Sequence, residues 1–444
     1  MVSFDPLLNH THNPALKSWV TSANTADTDF PVQNLPFGIF SRHHDAPRVG
    51  VAIGDMVLDL VACAGAGLLS ESPALAACSL PSLNALMALD PDDLSRLRGE
   101  LSELLRDDSP ASAKARAHAA QILVPIVDVT MHRPADVGDY TDFYASVYHA
   151  TNVGSMFRPD NPLLPNYKYV PIGYHGRASS IVVSGTGVTR PRGQTRAADA
   201  AEPSFGPSRM LDYESELGFY VGQGNDLGHV IRIDDAPRHI FGFSLVNDWS
   251  ARDIQAWEYQ PLGPFLAKNF ATTVGPWVVT SEAVEPYRVH AASRPKGDPA
   301  PLDYLRSQED DALGGVSAVL EVYLSTAQMR ADGSPPALLS RAPFRGMYWT
   351  VAQMLAHHAS NGCNLRPGDL LASGTVSGET DDSRGCLLEL TWRGTKPLAL
   401  PSGEERKFLL DGDEVIMKGY LEAAGRPQLG FGDCRGTILP TVDS

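Results

Sequence analysis

A chain of 444 residues is long enough to bury a large apolar interior and, at ordinary domain size, to form two or three domains. Hydrophobic residues make up 43% and charged residues 20%, near the globular averages, which excludes a disordered tail or a fibrous repeat as the bulk of the chain. With 52 acidic against 36 basic residues the formal charge is -16, so long-range attraction to polyphosphate or anionic lipid is missing, and neither nucleic acid nor membrane is expected as a partner.

The five cysteines (Cys63, Cys78, Cys363, Cys386 and Cys434) are odd in number and form no C-x-x-C pair, against a disulfide framework or a zinc knuckle and in keeping with a reducing cytosol. No apolar run approaches the roughly 18 residues of a spanning helix. Lys17 is the single basic residue among the first 41, with no apolar region behind it, so no export or anchoring signal is expected and the predicted location is cytoplasmic.

In chain order, the first 40 residues are rich in Asn, Thr, Pro and His without period and predict an extended arm. Val49 to Ile53 alternates, Gly54-Asp55 supplies a turn, and Val57 to Leu60 resumes, the pattern of a β-hairpin with a two-residue loop. Asp90-Pro91 is an N-cap followed by proline at the first helical position, and Leu94, Leu97, Leu101, Leu104 and Leu105 then recur at helical spacing. An Ala-rich helix is expected over 111–121. The composition then turns to Tyr, His, Gly and Trp, which places a domain boundary near Met131 and divides the chain into 1–131 and 132–444.

Beyond that point short β-like runs dominate, at 180–183, 217–221, 277–280, 316–325, 387–392 and 414–420, with helical spacing over 142–150 and 348–359. The class is therefore mainly β with some helix, not a regular alternation of strand and helix. Segments 196–208 and 292–301 are expected as exposed loops.

The residues that could carry chemistry are chiefly acidic. Glu214 and Glu216 are two apart at the start of a strand-like run and would share a face, where they repel unless both meet water or a cation. Asp142 and Asp248 stand in aromatic or apolar surroundings, where a lone carboxylate is costly to bury; a helix N-terminal charge and an N-cap are the ordinary explanations for them. Together the four offer oxygen ligands with no thiolate or imidazole, a set for Mg²⁺ or Ca²⁺ and not for zinc. His149 follows Asp142 by seven residues, two turns if that stretch is helical, so a base would stand beside the cation; a surface or structural histidine is the plain alternative. Glu389 is the lone acid in a strand-like run, either on an exposed face or paired with an imidazolium. Arg252, Gln255 and Tyr259 recur at helical spacing; Arg252, Gln255 and Lys268 are donors suited to an oxyanion, or to surface salt bridges. The glycine-rich PIGYHGRASSIVVSGTG and LLASGTVSG lack phosphate-loop spacing and predict tight turns.

In combination, DYTDFYASVYHATNVGSMFR, LLPNYKYVPIGYHGRASSIVVSGTG, LDYESELGFYVG, HIFGFSLVNDWSARDIQAWEYQPLGPFLAKNF and LLASGTVSG resemble the fumarylacetoacetate hydrolase family, and DFPVQNLPFGIF with RVGVAIGDMVLDL extends the resemblance over nearly the whole chain. The resemblance implies a homodimeric hydrolase with a small SH3-like β-barrel at the N-terminus and a catalytic mixed β-roll at the C-terminus. It also implies a substrate, the diketo diacid 4-fumarylacetoacetate, cleaved to fumarate and acetoacetate at the end of tyrosine and phenylalanine breakdown.

Carried over by motif, Asp142, Glu214, Glu216 and Asp248 match the family's metal carboxylates, His149 its general base and Glu389 the carboxylate that orients it. Arg252, Gln255 and Lys268 match positions that stabilise the leaving carbanion or oxyanion. Tyr144, Arg158, Tyr174, Gln255, Tyr259 and Thr375 match substrate contacts. Lys268 and Thr272 match positions around the metal, although an ammonium cannot be a ligand and belongs with the oxyanion donors. The rival readings are a relative acting on a smaller acylpyruvate or oxaloacetate-like substrate, and a non-enzymatic acidic metal-binding protein.

Overall fold

A computed structural model of the chain describes residues 7–42 and 45–442. The hairpin expected around Gly54-Asp55 forms from strands Arg48–Ile53 and Met56–Asp59, with Ile53 opposite Met56. Gly54 adopts φ +58°, which a two-residue hairpin loop demands and glycine supplies without strain. The Asp90 side chain accepts from Asp92 N and starts helix Pro91–Leu105, whose Leu97, Leu101, Leu104 and Leu105 are buried. The Ala-rich stretch is broken at His118 into Pro110–Ala117 and Ala119–Ile122. Among the described residues of the arm, 3₁₀ turns precede strand Phe37–Ser41, and Leu16, Val20, Val32 and Leu35 enter the N-terminal core.

The largest sheet has 13 strands and runs across both halves of the chain in the order Leu123–Pro125, Met56–Asp59, Arg48–Ile53, Phe37–Ser41, Trp277–Thr280, Ile240–Asp248, Ser215–Val221, Leu370–Ala372, Tyr140–Phe143 and Gly173–Gly176. Thr272–Val274 pairs with Ile240–Asp248 and, in parallel, with Ile181–Val183. A second sheet is built on the antiparallel pair Ala318–Ser325 and Glu414–Leu421, flanked by Ala337–Pro343 and Cys434–Leu439. The architecture is mainly β with some helix, in mixed sheets.

Strands Ser215–Val221 and Ile240–Asp248 are buried at every position, because both faces of the sheet are covered there. The two-residue period still sorts their side chains. Leu217, Phe219 and Val221 enter the C-terminal core, whereas Tyr220 joins a core shared with the N-terminal elements.

Three sequence expectations are corrected. Asp142 and His149 do not share a helix: Asp142 lies in strand Tyr140–Phe143, and helix Val147–Phe157 begins after Ser146, whose side chain accepts from His149 N. Tyr140, Phe143, Tyr144 and Tyr148 stand at spacings of three and four, which reads as helix across the end of the strand. The run 387–392 is not a strand but the short helix Leu387–Leu390, closed by Trp392 and Arg393 at positive φ; a brief apolar run carries no period long enough to separate the two. Within 196–208, Ser204–Pro207 pairs with Arg192–Thr195 instead of looping freely.

The central sheet is packed closely enough to test. A Cβ on Gly242 would stand 2.5 Å from the Val279 carbonyl oxygen and 2.9 Å from a Val278 methyl. Gly242→Ala is expected to lower unfolding stability by about 2 kcal/mol, as overpacking does, read as a lower urea midpoint with an unchanged slope.

Candidate active site

One end of the central sheet gathers the acidic residues. Asp248 is the last residue of its strand, Glu216 sits opposite Val246 on the next strand, and Asp142 pairs with Ala372 and Tyr174 near the close of Tyr140–Phe143. Carboxylate oxygens of Asp142, Glu214, Glu216 and Asp248 all lie within 4.8 Å of one another, and all four residues are buried. Antiparallel pairing brings the end of one strand beside the start of the next, which is why residues scattered through the sequence converge here.

The cluster is only partly neutralised. Lys268 Nζ donates to Glu214 and, at 2.6 Å, to Asp248 Oδ2; Arg252 Nη1 stands 2.7 Å from Glu214 Oε1. Tyr174 donates to Asp248 Oδ2 at 2.8 Å, and Thr272 reaches Asp248 Oδ1 at 3.3 Å. Burial would raise the Glu214 carboxyl, but Arg252, Lys268 and His149 overcome it and hold the group below the usual range. Asp142 and Glu216 go the other way: burial first, then the neighbouring carboxylates, push both well up. Lys268 is held firmly charged, its loss of hydration outweighed by Asp248 and Glu214.

Two oxygens in the cluster, Asp142 Oδ1 and Glu216 Oε1, are buried without a hydrogen-bond partner among the described residues. Unpaired buried acceptors facing one another are costly. A divalent cation at their centre satisfies both, and a donor set made only of carboxylate oxygen suits a hard ion. The residues present therefore fit a divalent cation.

Beside the cluster, His149 Nδ1 lies 2.6 Å from Glu389 Oε2, leaving Nε2 on the side of Glu214, 4.0 Å from its Oε1. Asn152 Nδ2 donates to Glu389 Oε1 at 2.8 Å, and Ser377 Oγ (2.8 Å) and Cys386 Sγ (3.2 Å) approach Oε2. Burial would raise Glu389, but the His149 charge and these hydrogen bonds bring it down to about 2. The carboxylate stays ionised and can only accept, so the Nδ1 hydrogen is turned to it and Nε2 is the ring nitrogen left towards Glu214. His149, Cys386 and Glu389 also lie close enough to form a metal-sized group, but their own hydrogen bonds already close it.

These elements border a cavity of about 480 Å³. Its polar wall carries Asp142, Tyr144, His149, Arg158, Tyr174, Glu214, Arg252, Gln255, Tyr259, Lys268 and Thr375, and its apolar wall includes Phe157, Leu164, Ile172 and Leu262. Glu216, Asp248 and Glu389 stand behind this lining, joined to it through the contacts above. The Tyr144 ring meets His149 edge-on at 5.3 Å between centroids, and the Thr375 hydroxyl is buried without a hydrogen-bond partner among the described residues. The site residues named from the sequence are thus on the cavity or in contact with one that is, save Thr272, which reaches it through Asp248.

Sequence reasoning passed over Asn152, Ser377, Cys386 and Asp212. Asn152, three residues beyond His149 on a helix, carried a usable signal; the others touch the site only through the fold.

Buried oxygen ligands for a dication, an imidazole held by a carboxylate, and two cationic donors around one cavity define a divalent-cation-dependent hydrolase. Comparison with known proteins narrows this. Residues 33–134 match the family Fumarylacetoacetase N-terminal, and residues 140–439 match Fumarylacetoacetate (FAA) hydrolase C-terminal. The chain is 50% identical over 433 residues to a fumarylacetoacetase of Caenorhabditis elegans, covering 96% of this chain and 99% of that one. It is 48% identical over 429 residues to that of Bos taurus (94% and 97% covered) and 48% over 430 residues to that of Homo sapiens (94% and 97%). The chain belongs to the fumarylacetoacetate hydrolase family.

Two outcomes follow from this geometry. Glu214→Gln is expected to weaken Mg²⁺ or Ca²⁺ binding at least about 100-fold, the upper end of what losing an outer partner costs, as measured by titration calorimetry on chelator-treated protein. The depressed Glu389 carboxyl contributes stability that is complete above its ordinary value of 4.5 and is lost as pH falls towards its folded value of about 2. Denaturant unfolding of Glu389→Gln should therefore show a shallower loss of stability than wild type between those two pH values.

Proposed function

We propose that the protein hydrolyses the carbon–carbon bond of 4-fumarylacetoacetate, giving fumarate and acetoacetate, the last step of tyrosine and phenylalanine breakdown. The observation that carries this reading is the His149–Glu389 pair set beside four converging carboxylates in a cavity with cationic donors. The near full-length likeness to fumarylacetoacetases supports the substrate.

Asp142, Glu214, Glu216 and Asp248 would hold a divalent cation, which we take to be Mg²⁺ or Ca²⁺ because every donor is a carboxylate oxygen, and which would supply Lewis-acid chemistry to the substrate. His149 Nε2 takes a proton from water, while Glu389 holds the ring and stabilises the imidazolium that forms. The hydroxide adds to the ketone next to the fumaryl group. Arg252, Gln255 and Lys268 donate to the charge that then develops on oxygen. Collapse breaks the bond to the neighbouring methylene; the carbonyl carbon leaves as the new carboxylate of fumarate, and the acetoacetate carbanion takes up a proton. Arg158, Tyr144, Tyr174, Tyr259 and Thr375 orient the substrate on the cavity wall. Arg158, Arg252 and Lys268, together with the dication, would supply the local positive charge that a dianion needs in a chain of charge -16.

The same reading includes finer points of organisation. Residues 1–131 are taken as a small SH3-like barrel domain, supported by antiparallel pairing of Phe37–Ser41 with both Arg48–Ile53 and Thr130–His132 and by the single turn Ile126–Asp128 that joins the outermost strands. Residues 132–444 form the catalytic β-roll domain. A cytoplasmic homodimer is proposed from the family and from five cysteines that are all free thiols.

Chelator-stripped protein should turn over fumarylacetoacetate only after Mg²⁺ or Ca²⁺ is restored, followed as loss of the substrate's ultraviolet absorbance. His149→Ala should lose about 10³-fold or more in kcat, within the range for a general base, while binding as much dication as wild type. Wild-type turnover that survives exhaustive chelation, or normal turnover by His149→Ala, would exclude this mechanism.

A further inference from the structure

Arg252 is held from two sides. Its Nε donates to Asp212 Oδ2 at 2.9 Å, and its Nη1 reaches Glu214 Oε1 at 2.7 Å and Gln255 Oε1 at 3.3 Å. The remaining nitrogen, Nη2, is buried without a hydrogen-bond partner among the described residues, on a side chain that lines the cavity. A guanidinium is planar, so pinning Nε and Nη1 fixes the plane and the direction of Nη2.

Asp212 is itself immobilised. It is fully buried and is not part of the cavity lining. Its Oδ1 accepts from Tyr213 N (2.9 Å) and Leu387 N (2.8 Å), and its Oδ2 from Leu388 N (2.9 Å) as well as from Arg252. Leu387 and Leu388 immediately precede Glu389, so a single carboxylate ties Arg252 to the segment that orients His149.

We infer that Asp212 is a positioning residue of the reaction, holding Arg252 by its Nε so that Nη2 is kept as a donor for the oxygen that gains charge. The alternative pose shows why this matters. Without Asp212, Glu214 can take both Nη nitrogens in a bidentate fork, the geometry an arginine and a carboxylate prefer. That fork would use up the uncommitted donor. The inference rests on Arg252 acting on the substrate as proposed above.

The test uses the full chain loaded with Mg²⁺, in the variants Asp212→Asn, Asp212→Glu, Arg252→Ala and Asp212→Asn combined with Arg252→Ala. Bound Mg²⁺, melting temperature, kcat and KM are measured for each. Asp212→Glu keeps the charge, which guards against a failure of Asp212→Asn to fold for want of a carboxylate beside Arg252. Either folded Asp212 variant should lose about 100-fold in kcat, the scale of one oxyanion donor, with KM and bound Mg²⁺ close to wild type. Adding Asp212→Asn to Arg252→Ala should cost less than about threefold more, because the two residues act as one unit. The inference is overturned if a folded, Mg²⁺-loaded Asp212 variant keeps wild-type kcat, if the two losses multiply in the double variant, or if neither Asp212 variant folds, since the carboxylate is then a stability element. A wild-type chain without turnover overturns the proposed function along with it, whereas an active wild type with active Asp212 variants overturns this inference alone.

Discussion

Four buried carboxylates at one end of one sheet are the constraint on which the rest of this structure depends. Each pair of like charges at such spacing costs about 4 kcal/mol at the effective dielectric of a protein surface, and more as water is excluded. Strands that merely packed well would not gather Asp142, Glu214, Glu216 and Asp248; the arrangement persists because positive charge is brought to it. Lys268 bridges Glu214 and Asp248, and Arg252 stands on the far side of Glu214. Those two cations leave Asp142 Oδ1 and Glu216 Oε1 unsatisfied, and a dication completes the balance.

Glu214 is the junction of the site. Lys268 and Arg252 both contact it, and it lies nearest His149 Nε2. The imidazole, the guanidinium, the ammonium and the carboxylate cluster therefore meet at one carboxylate, so a displacement of any of them is felt by the others. The dyad behind it is stiff for a related reason: Glu389 is surrounded by donors from one helix and a loop, and a carboxylate so surrounded neither rotates nor protonates near neutral pH. The apolar wall formed by Phe157, Leu164, Ile172 and Leu262 lowers the local polarity opposite these charges, which strengthens every donor aimed at a developing oxyanion.

How much of this could be read from the residues varies with the physics involved. The hairpin at Gly54-Asp55 and the helix after Asp90-Pro91 were legible because turn and cap chemistry acts over a few residues. The Leu387–Leu390 helix was misjudged as a strand, since an apolar stretch of that length has no period to read and its conformation is set by the surroundings. His149 was placed beside Asp142 for the wrong reason: the two lie on different elements, and what unites them is the sheet end, not helical spacing. Asn152 is marked by its place one turn beyond His149, but Ser377, Cys386 and Asp212 are not legible, because nothing in a residue's type records which distant partner it will meet.

The amino-acid order alone thus determined the acidic, oxygen-only character of the ligand set, the mainly β class and, by resemblance of long ordered motifs, the family. Those properties are additive over local segments and survive without knowing which segment lies next to which. Only the tertiary structure decided that the carboxylates converge within one coordination sphere, which nitrogen of His149 faces them and which donor of Arg252 is left uncommitted. Each of these is a property of distance and direction between strands far apart in sequence, and it comes into being only when the sheet pairs.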